Sequence, residues 1–272
     1  MLRKLLKHEF KAMGRILLPL YGAMIIMGLI SSLLFKAEPT MIFQKFTTVR
    51  ILSLISMILY VCLIFGSICL SYVIAIYRFK KNLFDAEGYL MNTLPVSAWQ
   101  NTASKLIVSI IFIVLGLIAA AISGLAYVMV SIGFSKLPNF GQITEYIRII
   151  TDNIGTMPIF AYTAETILLV LLTLACGMLM IYACICIGHS SNSHKVLKSV
   201  GTYVLFYIIS QFINGNIVNT IFKMLNSGRL IIANDIYVAQ PYILLIIVIQ
   251  LLYGVAYFAI CNYFLNRKLN LQ

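Results

Sequence analysis

The densest set of potential metal ligands in the chain is Cys184-x-Cys186-x2-His189-x4-His194, a thiol and imidazole combination of the kind that holds zinc. Its spacing argues against a site. Residues two apart on a helix project to nearly opposite faces, so the two thiols converge only if the helix unwinds, and His189 and His194 fall where a turn begins. The expectation is no metal. Glu165 is the one carboxylate close to a hydrocarbon-length stretch, and ionisable groups at membrane depth are functional candidates by default. It lies seven residues after Pro158, near the end of its stretch, where water, Arg148 or Arg50 is within reach. A carrier driven by an ion gradient would show several such groups, more deeply placed. Nucleotide chemistry lacks its main device: no Gly-x4-Gly-Lys-[Ser/Thr] sequence occurs, nor any Gly-Lys dipeptide, so there is no P-loop. The chain is read as noncatalytic, with no cofactor of its own. A fourth group has a different character. Tyr203, Tyr207, Gln211 and Asn214 recur at helical spacing and place hydroxyls and amides on one stripe of an apolar segment. Such a stripe bonds a neighbouring helix or marks an early exit from lipid, or else lines a subunit interface or substrate path.

The elements that carry these residues follow from composition. Of 272 residues, 61% are hydrophobic and 10% charged, whereas soluble domains run at roughly 45–50% and 25%. So little charge cannot cover a water-facing surface, and a soluble enzyme or a disordered chain is excluded. About 20 apolar residues cross a hydrocarbon core of roughly 30 Å. Six stretches qualify, at about 16–35, 49–77, 106–134, 159–188, 200–222 and 242–265. Backbone groups in lipid must be satisfied within their own segment; the ten-residue alternation of a membrane barrel is absent. The fold class is therefore all-α, a polytopic membrane protein with six transmembrane helices in one domain over 1–272.

Twenty Lys and Arg against eight Asp and Glu give a net charge of +12. In a soluble chain that balance would point to nucleic acid; in a membrane protein it reads as orientation. With both termini cytoplasmic, the inner side holds 13 of the 20 basic residues. The expected location is the cell membrane, and no nucleic-acid partner is expected. The six Cys all fall within the spans, so a disulfide framework is not expected.

Two segments outside the spans have unusual composition. Residues 1–15 place Leu2, Leu5, Leu6, Phe10 and Met13 on one helical face and Arg3, Lys4, Lys7, Lys11 and Arg15 on the other, an amphipathic basic helix suited to the inner headgroup layer and its lipid. The loop 78–105 gathers acidic, aromatic and aliphatic residues in a basic setting. Pro95 stops any helix begun near Gly88, and Ser97-x-x-Gln100 forms a capping box that opens the third span. An exposed, partly apolar segment of this kind calls for a partner. Small residues at four-residue spacing, Gly116, Ala120 and Gly124 in span three and Ser67, Ser71 and Ala75 in span two, allow close helix approach.

Asp85-Ala86-Glu87-Gly88-Tyr89-Leu90-Met91-Asn92-Thr93-Leu94-Pro95-Val96-Ser97, together with Leu5-Leu6-Lys7-His8-Glu9-Phe10-Lys11-Ala12, resembles the permease subunits of bacterial type-2 ABC exporters, especially the small six-span permeases of Firmicutes. The resemblance implies a coupling helix within 83–97 that seats in a groove of a separate ATPase. Tyr89, Leu90 and Leu94 would be its buried contacts, Asp85 and Glu87 its polar rim, with Gly88, Thr93 and Pro95 shaping the segment. It further implies ATP and Mg on that partner, two ATPase copies, and a second permease subunit in a homodimer or heterodimer. The cargo expected is amphipathic or hydrophobic, a peptide being one candidate. Two other readings stay open at this point: an ion-gradient-driven secondary carrier, and a membrane sensor or scaffold that transports nothing.

Overall fold

The computed structural model describes residues 2–37, 47–84, 97–132, 141, 144–145, 148, 156–190, 194–226 and 235–267. Six long helices carry nearly all of them: α1 (Leu2–Ala37), α2 (Thr47–Phe84), α3 (Ala98–Ile132), α4 (Thr156–His189), α5 (Lys195–Asn226) and α6 (Asp235–Arg267). No strand occurs among the described residues. Each helix has 32 to 38 residues, about 48–57 Å at 1.5 Å per residue, so each outruns a hydrocarbon core of about 30 Å. All six are long and apolar enough to cross a membrane.

Several helices run past the apolar stretches that announce them. α1 continues unbroken from the basic segment into the first apolar stretch, with Pro19 inside it. α2 extends seven residues beyond Tyr77, and α3 begins at Ala98, eight residues before Leu106. Hydropathy marks what suits lipid, whereas a helix satisfies its backbone internally in either medium and stops only at a breaker or cap. α3 opens just after Ser97, whose carbonyl accepts the N–H groups of Gln100 and Asn101. Large apolar side chains stand exposed along the helices, among them Ile58, Phe65, Leu125, Ile167, Phe212 and Val255. Water does not tolerate such surfaces; acyl chains do. The protein is an all-helical, multi-pass membrane protein.

The chain divides into two compact units. The first comprises residues 1–78 and 103–147. Its centre is Tyr21 of α1, whose hydroxyl donates to the Phe112 carbonyl of α3 at 2.8 Å and lies 2.8 Å from Ser71 Oγ of α2. The ring fits because Gly116 has no side chain: a Cβ there would come within 3.0–3.2 Å of it. One level along, Gly28 of α1 admits Tyr60 of α2, where a Cβ would approach to 2.9 Å, and the Tyr60 hydroxyl meets Ser123 Oγ at 3.0 Å. Gly116 makes room for a tyrosine, and Gly28 for a tyrosine and, at 3.4 Å, the Ser123 carbonyl of α3.

The second unit comprises residues 79–102 and 148–272, the 85–96 segment within it lying outside the described residues. Here α4 packs against both α5 and α6. Met178, Tyr182, Ala183 and Cys186 of α4 and Cys261 and Leu265 of α6 are buried. Gly188 brings the end of α4 onto the start of α5, against Ser199 and the Lys195 carbonyl.

Candidate functional site

Three helices of the second unit line an open pocket of about 260 Å³. α5 contributes Tyr203, Tyr207, Ser210 and Asn214; α4 contributes Thr173, Cys176, Gly177 and Met180; α6 contributes Gln250, Tyr253 and Tyr257. Each set recurs at three- and four-residue steps, which is one face of a helix, and the three faces converge because α4 touches both neighbours. At 1.5 Å per residue the lining residues lie about 12–28 Å from the helix ends at His189, Lys195 and Arg267. That depth is the middle of a bilayer-spanning helix. No lining residue carries a formal charge.

The internal bonding of the pocket leaves a defined set of polar groups. Thr173 donates to the Leu169 carbonyl and Ser210 to the Tyr207 carbonyl, so both hydroxyls are left only as acceptors. Cys176 donates to the Gln250 carbonyl at 2.9 Å, tying α4 to α6. The Tyr253 hydroxyl is buried with no hydrogen-bond partner among the described residues. The rings of Tyr253 and Tyr257 stack with centroids 6.2 Å apart, and the Phe206 ring lies tilted 5.4 Å from Tyr257.

Of the polar stripe read from α5, Tyr203, Tyr207 and Asn214 line the pocket, while Gln211 is exposed and does not. Gln250, Tyr253 and Tyr257 were missed. Their i, i+3, i+7 spacing carried the same signal on α6, but six surrounding leucines, isoleucines and valines masked it.

Asp85, Glu87, Gly88, Tyr89, Leu90, Thr93, Leu94 and Pro95, which the resemblance implies are coupling residues, lie outside the described residues. Both roots of that segment are described, and they belong to the same unit as the pocket. Phe79 is fully buried and stacks on Tyr182 of α4, with centroids 3.9 Å apart and planes within 4°. Phe84 packs on His189 at 4.7 Å, and Thr102 Oγ1 lies 4.0 Å from Cys261 Sγ of α6. Tyr182 is two residues from the pocket residue Met180, and Cys261 is four from Tyr257. A push on either root therefore reaches a pocket helix within about one turn.

A second polar cluster lies in the first unit. The Glu9 carboxylate receives Lys105 Nζ at 2.5 Å on one oxygen and Arg78 Nε and Nη2 at 3.0 and 2.8 Å on the other. The Glu9 and Lys105 side chains are 4% and 3% exposed, that of Arg78 20%. Glu9 precedes the apolar stretch of α1. Burial alone would raise its pKa, but Lys105 and then Arg78 outweigh that and hold it below the usual carboxylate range. Arg3, Lys4, Lys7, Lys11 and Arg15 all stand exposed, while Met13 and Leu17 on the opposite face are buried.

The remaining candidates are scattered. Glu165 is half-buried on α4. His189 Nδ1 is 3.0 Å from the Ile185 carbonyl of its own helix, and Cys186 Sγ lies 3.3 Å from Cys261 Sγ rather than converging with Cys184 on one point. Among the described residues no group of three His, Cys, Asp or Glu is arranged to hold a metal. No family model matches the chain, and neither a curated protein nor a solved structure is significantly similar to it.

Proposed function

We propose that this chain is the transmembrane permease subunit of an ATP-driven type-2 ABC exporter. It sits in the cell membrane with both termini cytoplasmic, works with two copies of a separate ATPase and a second permease subunit, and moves an amphipathic or hydrophobic cargo. The observation that carries this reading is the placement of both roots of the 85–96 segment on the helices that form the pocket. A coupling element must hand force to the cargo path. Here that element emerges from Phe79, Leu83 and Phe84 on one side and Thr102 on the other, and these residues pack on α4 and α6 rather than ending in a free loop.

The aromatic contacts suit such a task. The fully buried Phe79–Tyr182 stack is a stiff, close-packed joint, and packed interiors transmit displacement because they have little room to absorb it. The pocket supplies polar partners at mid-membrane depth without a fixed charge, so it suits a cargo that carries its own hydrogen-bonding groups through an apolar path.

The test is whether a P-loop ATPase copurifies with this chain. Changing Tyr89 and Leu94 together to Asp should abolish copurification while the permease still elutes as a folded species; retained copurification defeats the coupling assignment. Phe79→Ala should leave the ATPase bound but lower cargo-stimulated ATP hydrolysis at least fivefold. Transport by the reconstituted chain with no ATPase present would favour the secondary-carrier alternative instead.

A further inference from the structure

We infer that α1 binds the headgroups of anionic phospholipids through Lys7, Lys11 and Arg15, in the leaflet on its N-terminal side. Nothing in this binding depends on the transport reading above. The way α1 stands sets the geometry. Glu9 meets Lys105 of α3, Phe10 and Gly14 lie against Phe112, Tyr21 meets Phe112 and Gly116, and Gly28 comes up to the Ser123 carbonyl. These contacts advance together along both helices and continue past Pro19. The basic segment therefore prolongs the span instead of turning to lie flat across the bilayer.

The depth of each cation follows. The Glu9 cluster marks the edge of the hydrocarbon on two neighbouring helices, because Arg78 directly follows the apolar stretch ending at Tyr77 and Lys105 directly precedes the one beginning at Leu106. At 1.5 Å per residue, Arg3 and Lys4 lie about 8–9 Å outside that level, Lys7 about 3 Å outside, Lys11 about 3 Å inside and Arg15 about 9 Å inside. The headgroup layer is only about 5–8 Å deep on each side, so Arg3 and Lys4 stand at its watery limit while Lys11 and Arg15 start below it. Side chains on a helix lean toward its N-terminus, which here is toward the headgroups, and long basic side chains carry their charge that way. Ile16 and Leu18 beside Arg15 are 56% and 52% exposed. Acyl chains, not a soluble protein, cover the surface at that level.

Charge selects the lipid. All five cations of the segment are exposed, while Met13 and Leu17 are buried on the opposite face. Glu9 is the only acid in α1, and Lys105 and Arg78 already hold it. Among the described residues no carboxylate pairs with Arg3, Lys4, Lys7, Lys11 or Arg15. A zwitterionic headgroup brings its own cation and offers these residues no net attraction; an anionic one does. Lys7, Lys11 and Arg15 recur at four-residue steps on one stripe, so all three address the same headgroups.

The experiment uses the full chain in mild detergent, titrated with phosphatidylglycerol or with phosphatidylcholine of the same acyl chains, the bound lipids being counted by native mass spectrometry. Phosphatidylglycerol should bind at least about tenfold more tightly, since each cation near an anionic surface is worth about fivefold. Lys11→Gln with Arg15→Gln should weaken phosphatidylglycerol binding about thirtyfold and leave phosphatidylcholine unchanged. Arg3→Gln with Lys4→Gln should weaken it at most about threefold, because physiological salt screens charges beyond about 8 Å. Lys11→Arg with Arg15→Lys keeps both charges and should keep the binding.

Equal losses from the two neutralised pairs would mean that the segment lies flat, and would overturn the assignment. So would equal binding of the two lipids, or displacement of phosphatidylglycerol by inorganic phosphate at physiological salt, which marks a site for a free anion. Neither result touches the permease reading, whose test is the ATPase.

Discussion

Glu9→Gln isolates the energetics of the buried ion cluster. The substitution keeps the shape and one carbonyl acceptor and removes only the charge, leaving the Lys105 ammonium and the Arg78 guanidinium facing each other's field. The two cations respond differently. Arg78 is 20% exposed and can rehydrate, but Lys105 is 3% exposed and cannot. Removing one partner of a buried ion pair costs about 3–5 kcal/mol, because the surviving charge is stranded. Lys105 sets the loss in that range, since its buried ammonium is held by Glu9 Oε1 at 2.5 Å. The assay is denaturant unfolding in detergent micelles, followed by loss of helical circular dichroism. The companion double variant Glu9→Leu with Lys105→Met should recover most of the loss, because apolar replacement of a whole buried pair is often neutral. A loss below about 1 kcal/mol for Glu9→Gln, or a double variant no better than the single, would refute the reasoning.

Three further outcomes follow from named contacts. Because the Glu9 pKa is lowered in the folded state, its stabilisation is complete above the ordinary carboxylate pKa and is lost as pH falls through the lowered value. The melting temperature should therefore be flat in this contribution from pH 8 to about 5 and fall only below about pH 4, a dependence that Glu9→Gln removes. Gly188→Ala places a methyl against Ser199 Oγ and 2.7 Å from the Lys195 carbonyl, so the α4–α5 junction must shift; a destabilisation of about 1–3 kcal/mol is expected, partly relieved by Ser199→Gly. Tyr21→Phe removes the hydrogen bond to the Phe112 carbonyl and the contact with Ser71, and should lower stability by about 1–2 kcal/mol in the same unfolding assay.

How far the sequence foretold the structure depends on the kind of force involved. Lipid imposes a strong, local rule, and the six apolar stretches could be read directly. The far end of α2 could not, because Tyr77 marks a change of solvent preference rather than a break in backbone bonding. The polar stripe of α5 was visible because Tyr203, Tyr207 and Asn214 interrupt an apolar run at helical spacing. Gln211 belongs to that stripe by spacing alone, and its exposure depends on how α5 is rotated against α4. Glu9 showed only as the one acid among five cations in residues 1–15. Nothing in its neighbourhood named Arg78, 69 residues away, or Lys105, 96 residues away.

The residue order by itself determined an all-helical membrane protein of six spans, since apolar length and the absence of charge are properties of each segment alone. It also determined where α3 could begin, at Ser97. Only the tertiary structure decided which glycines admit tyrosines, which cations share the Glu9 carboxylate, and that Gln250, Tyr253 and Tyr257 join the α5 stripe around one pocket. These are facts about rotation and register between helices. They are fixed by packing among side chains far apart in the chain, and a local pattern carries no information about that angle.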